Sequence, residues 1–121
     1  MVPTAPPILV VDDDDEDTRE LYVAAFAAAG LRVQVAASIA EARAVISESK
    51  PHVLIADYSL PDGTGAALLE LCQTARPQLC VLVTGFREQD VAASGFDLVL
   101  TKPVDLAILL RAVREAAADA P

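Results

Sequence analysis

His52-Val53-Leu54-Ile55-Ala56-Asp57, followed by Tyr58-Ser59-Leu60-Pro61-Asp62-Gly63, is the most informative stretch of the chain. Four apolar residues in a row, with no helix cap ahead of them and a Pro/Gly turn behind, predict a short strand buried on both faces. The strand ends in a carboxylate, delivered where the chain leaves the hydrophobic layer. In open α/β sheets ligands bind outside those carboxyl ends. Asp57 is therefore the candidate reactive centre.

The same pattern recurs on either side. Ile8-Leu9-Val10-Val11 is a second fully apolar strand that runs into Asp12-Asp13-Asp14-Asp15-Glu16-Asp17. Aspartates cap helices and suit the positive end of a helix dipole, so part of this run starts a helix through Leu21, Ala25 and Ala28 to Gly30. Arg32 to Ala36 alternates as a strand does. Ser38 caps a helix from Ile39 to Ser49, which Lys50-Pro51 stops. After the central strand, Gly63-Thr64-Gly65 leads into a helix from about Ala66 to Ala75. Leu79 to Val83 forms the fourth strand and ends in Thr84-Gly85. A short helical piece covers Arg87 to Ser94, and Leu98-Val99-Leu100 forms the fifth strand, with Thr101-Lys102-Pro103 after it. Asp105 begins a last helix running to about Ala118.

Five repeats of strand and helix, joined by connections too long for hairpins, require a parallel sheet with right-handed crossovers. The expected fold class is α/β: a doubly wound five-stranded parallel sheet in the flavodoxin-like order 2-1-3-4-5. It occupies residues 8–118, with a Pro-rich N-terminal tail at 1–7 and a short C-terminal tail at 119–121.

Composition narrows the function classes. A chain of 121 residues, 54% hydrophobic, is one domain with a core of Ala, Val and Leu. No apolar run is long enough to span a bilayer and the N-terminus lacks a signal-peptide plan, so a cytoplasmic protein without membrane contact is expected. The formal charge of −9 repels the phosphate backbone, which argues against direct nucleic-acid binding. Cys72 and Cys80 lie in apolar surroundings without metal-ligand spacing and read as buried reduced thiols. His52 reads as a partly exposed residue at the start of its strand. Arg111 and Arg114 read as a solvated helix face.

In the order 2-1-3-4-5 the carboxyl ends bring together Asp12 and Asp13, Asp57, Thr84 and Lys102. Neighbouring strands lie about 4.8 Å apart, so Lys102 is two strands from Asp57, a gap its stem can bridge. Carboxylates crowded at such an edge repel: two at about 4 Å cost on the order of 4 kcal/mol at an effective dielectric near 20. A hard, oxygen-seeking divalent ion relieves this, and Mg²⁺ suits a site with few carboxylates and a phosphate oxygen. Asp57 can then act as a nucleophile toward phosphorus. Lys102 neutralises the phosphoryl oxygens and Thr84 offers a hydroxyl to one of them.

Ile8-Leu9-Val10-Val11-Asp12-Asp13, Leu54-Ile55-Ala56-Asp57 with Leu60-Pro61 and Gly65, Thr84-Gly85, and Lys102-Pro103 together resemble the receiver domain of bacterial two-component response regulators, over about residues 8 to 117. The resemblance implies that Asp57 accepts a phosphoryl group from the phosphohistidine of a histidine kinase or phosphotransfer domain and switches binding to a downstream protein. Such a domain is not a turnover enzyme; it catalyses only its own phosphorylation and dephosphorylation. The resemblance further implies that Asp13, Asp57 and the backbone carbonyl of Ser59 ligate Mg²⁺, that Asp12 acts mainly through water, and that the Lys102-Pro103 bond is cis. The resemblance is compatible with a homodimer, and with a chain that works alone or within a longer regulator or hybrid kinase.

Two departures from the family pattern stand out. Val99 occupies the position of the family's usual Tyr or Phe, so the output step must use something other than a ring flip or be weaker. The segment between Thr84 and Lys102 is about one turn short, and within it Phe86 is expected to overlook the site. Three rival readings fit the sequence less well. A phosphatase of the haloacid dehalogenase type needs Asp-x-Asp-x-Thr/Val after the first strand, which the acidic run does not provide. Nucleotide binding lacks a glycine-rich phosphate loop. A receiver-fold interaction module that is never phosphorylated has no need of Asp13, Asp57, Thr84 and Lys102 together. Asp62, before Gly63, reads as a turn former rather than a ligand, and Asp14 to Asp17 as a solvated helix start.

Overall fold

The computed structural model describes residues 8–12, 16–72, 76–85 and 95–118. The two tails, Asp13, Phe86 and the helical piece expected at 87–94 lie outside the described residues. Five strands, β1 (Ile8–Val11), β2 (Val33–Ala36), β3 (Val53–Asp57), β6 (Leu79–Thr84) and β7 (Leu98–Thr101), form one parallel sheet in the order β2-β1-β3-β6-β7. Numbered among themselves these are strands 2-1-3-4-5, the expected order. Two further strands, β4 (Ser59–Leu60) and β5 (Gly63–Thr64), pair antiparallel as a small hairpin directly after β3. The sequence predicts only a turn here, because two-residue strands are too short to show alternation.

Every residue of β1 and β3 is buried, as the unbroken apolar runs require. The pleat sends alternate side chains to opposite faces. Leu9, Val11, Leu54, Ala56 and Cys80 pack under α2 (Ile39–Ser49) and α3 (Ala66–Leu71). Ile8, Val10, Val53, Ile55, Val81 and Val83 pack under α1 (Glu16–Ala28) and α4 (Leu106–Ala118). Three helices bury a stripe at helical spacing: Tyr22 and Phe26 on α1, Ile39, Ala42 and Ile46 on α2, Leu109, Val113 and Ala116 on α4. The rings of Tyr22 and Phe26 stack at 6.4 Å. Cys72 and Cys80 are unbridged and buried, and burial pushes the Cys80 thiol up to about 11.

The helix ends explain why α2 stops and starts where the sequence says. Ser38 Oγ accepts the N–H of Glu41, and Glu41 Oε1 accepts the N–H of Ala37. At the other end Lys50 takes a left-handed conformation, φ 47°, and its N–H donates to the Ile46 carbonyl. The part-buried His52 ring lies 3.0 Å, through Nε2, from the Ala116 carbonyl and ties the foot of β3 to α4.

Candidate functional site

Parallel register brings the carboxyl ends of the three central strands level. Val11 pairs with Ala56 and Asp57 with Val83, so Asp12 and Asp57 end neighbouring strands side by side and Thr84 lies one residue beyond. These three are the only buried hydrophilic side chains among the described residues, with exposures of 3%, 5% and 0%. Desolvating a carboxylate costs several kcal/mol unless it is compensated. Two of them on adjacent strands mark a place where the fold gives up stability for chemistry.

Lys102 supplies the compensating charge. Its Nζ lies 3.0 Å from Asp57 Oδ2 across two strands, with 29% of the lysine side chain and 6% of the aspartate exposed. The Lys102 N–H donates to the Thr84 carbonyl at 2.7 Å, so the hydroxyl-bearing residue and the ammonium-bearing residue are joined through the backbone. The Lys102-Pro103 bond is cis. On the opposite flank Arg19 of α1 donates to the Asp12 carbonyl at 3.3 Å.

The chain leaving Asp57 is held closely. The Tyr58 N–H donates to the Val83 carbonyl, extending the sheet by one bond, and the Gly65 N–H donates to the Tyr58 carbonyl. A Cβ at Gly65 would stand 2.5 Å from the Asp57 carbonyl oxygen, so only glycine lets α3 begin this near the carboxylate. Ser59 follows on β4, paired with Thr64. The neighbouring carboxylates of Asp12 and Asp57 are oxygen donors, the ligand type that suits a hard divalent cation. Among the described residues no cluster of three or more acidic, histidine or cysteine side chains forms, Asp13 lying outside them.

Comparison with known proteins decides the family. The model of the response regulator receiver domain matches residues 8–114. The chain belongs to the response regulator receiver domain family. Among its relatives, the response regulator protein PilR of Pseudomonas aeruginosa is 34% identical over 113 residues, which are 88% of this chain but 25% of PilR. An uncharacterised protein of Leptolyngbya boryana is 36% identical over 115 residues, 89% of this chain and 87% of that protein. The solved receiver domain protein (CheY-like) of Methanospirillum hungatei superposes with a TM-score of 0.83 at 30% identity, covering 96% of each chain. The chain thus spans a quarter of PilR and most of the Leptolyngbya protein.

Within this receiver domain Val99 is part-buried on β7, opposite Leu82 of β6. No helix of the described residues is long and apolar enough to cross a membrane. Asp62, at the tip of the β4–β5 hairpin, forms the turn as expected but also reaches α2: Oδ1 accepts the Ile39 N–H at 2.9 Å and Oδ2 the Ala40 N–H at 3.0 Å. These bonds, that from Ile39 foremost, hold its carboxyl below the usual range. The Pro61-Asp62-Gly63 turn gives no hint of a partner 23 residues upstream.

Proposed function

We propose that Asp57 is the phosphoacceptor of a two-component phosphorelay. Its carboxylate attacks the phosphorus of a phosphohistidine on a histidine kinase or phosphotransfer domain. The O–P bond of an aspartyl phosphate forms, the N–P bond breaks, and the departing imidazole keeps that electron pair and takes up a proton. Lys102 contributes its ammonium where the transferred oxygens carry charge, and Thr84 its hydroxyl to one of them. Burial of Asp57 limits competing water and raises the strength of both interactions. Asp12 through water, Asp13, Asp57 and the Ser59 carbonyl would hold Mg²⁺, which when bound supplies positive charge to the phosphoryl oxygens and offsets carboxylate repulsion. Phosphorylation then changes binding to a downstream protein, by a route other than a ring flip at Val99.

The observation that carries this reading is the 3.0 Å approach of Lys102 Nζ to the buried Asp57 carboxylate, 45 residues away in sequence. Incubation with acetyl phosphate and Mg²⁺ tests it, read by mobility in a phosphate-affinity gel. The wild type shifts and Asp57→Asn does not. An unshifted wild type leaves the chain as a receiver-fold interaction module and overturns the proposal.

A further inference from the structure

Asp57 and Ser59 sit at the base of a hairpin whose own pairing is two residues against two. An isolated two-stranded hairpin is at best marginally stable in water, so this one takes its position from what it leans on. Its tip leans on α2. Asp62 is exposed, yet both of its carboxylate oxygens are used, accepting the first two N–H groups of α2. Leu60 is buried in the same cluster as Ile39, and a Cβ at Gly63, φ +150°, would come within 2.8 Å of Ile39 Cδ1. Ordinary capping of α2 does not need the hairpin at all, because the next two N–H groups, of Glu41 and Ala42, go to Ser38 Oγ and the Ser38 carbonyl. Two N–H groups of one helix terminus therefore answer to the hairpin and two to the helix's own cap.

We infer that Asp62 is a positioning residue for the phosphoacceptor loop: by clamping the hairpin tip to α2 it fixes Ser59 and the Asp57 backbone in the geometry that holds the divalent ion. The inference rests on the proposed phosphoacceptor site and adds a residue that touches neither metal nor phosphoryl group. Coupling of this kind is reciprocal, so whatever orders the base of the hairpin also tightens the bonds at its tip.

Two measurements test it. In Asp62→Ala and Asp62→Asn, compared with wild type at a temperature where all are folded, the Mg²⁺ dissociation constant from calorimetry rises about tenfold, the effect typical of groups that orient metal ligands. The phosphorylation rate by acetyl phosphate falls at low Mg²⁺ and recovers at saturating Mg²⁺. In the wild type, Mg²⁺ with beryllium fluoride, a phosphoryl mimic, slows amide hydrogen exchange at Ile39 and Ala40 and leaves Glu41 and Ala42 unchanged. Loss of stability alone would lower the melting temperature without moving the dissociation constant, so an unchanged constant in both variants overturns the inference. Equal exchange effects at all four amides overturn it as well. A wild type that binds no Mg²⁺ overturns this inference and the phosphoacceptor site together, whereas wild-type binding with unaltered variants removes only the role of Asp62.

Discussion

Lys102 crosses two strands to reach Asp57, and its removal should be felt in rate rather than in recognition of the phosphodonor. Lys102→Ala is expected to slow phosphorylation by acetyl phosphate on the order of 10²-fold, as loss of one group stabilising transition-state charge does elsewhere; gel-shift time courses check this. The two thiols belong to the opposite class. Cys80 is fully buried with its thiol held up to about 11, and Cys72 is buried beside the same cluster. Native protein should therefore resist a thiol-specific reagent at neutral pH and react at both cysteines only in denaturant. Rapid native labelling would contradict that. At this scale the sequence was informative wherever a polar residue ended an apolar run, because such a residue has no packing role to play. Asp57, Thr84 and Lys102 were legible for that reason. The double use of Asp62 was not, since a turn aspartate looks the same whether its carboxylate faces water or another element.

Elements were legible in proportion to their burial. The strands buried on both faces, β1 and β3, follow from composition alone, and α2 shows matching caps at both ends. The inward face of α1 did not follow. The helix is rich in alanine, and Leu21 is 61% exposed while Tyr22 and Phe26 fill the core. The β4–β5 hairpin escaped because two-residue strands carry no period. On α4 the buried stripe makes a clear demand: Leu109, fully buried under the sheet, should cost roughly 2–5 kcal/mol when cut to alanine, seen as a lower urea midpoint. The tie from Asp62 to α2 has a pH signature. Its carboxyl is depressed below the ordinary value of 3.8, so the capping contribution is complete above that pH and is lost as pH falls through the folded-state value. Asp62→Asn should be less stable than wild type at neutral pH, with the gap closing below pH 3.8. A gap independent of pH would rule out the charged cap.

Across the whole molecule, topology does the assembling. Right-handed crossovers place α1 and α4 on one face and α2 and α3 on the other, and the switch in strand order between β1 and β3 leaves their carboxyl ends open side by side. Asp12, Asp57, Thr84 and Lys102 come from four separate strand ends, and only the sheet order makes them neighbours. That order could be expected from the repeating strand-helix pattern, whereas the 3.0 Å contact between Lys102 and Asp57 depends on the path of a long side chain that spacing does not encode. On the proposed function, this convergence serves to form an acyl phosphate on one carboxylate. Borohydride reduces an aspartyl phosphate to homoserine, so peptide mass spectrometry after acetyl phosphate, Mg²⁺ and borohydride locates it directly. Conversion of residue 57 alone, abolished by chelating Mg²⁺, is the expected result; homoserine at another aspartate, or at none, would contradict it.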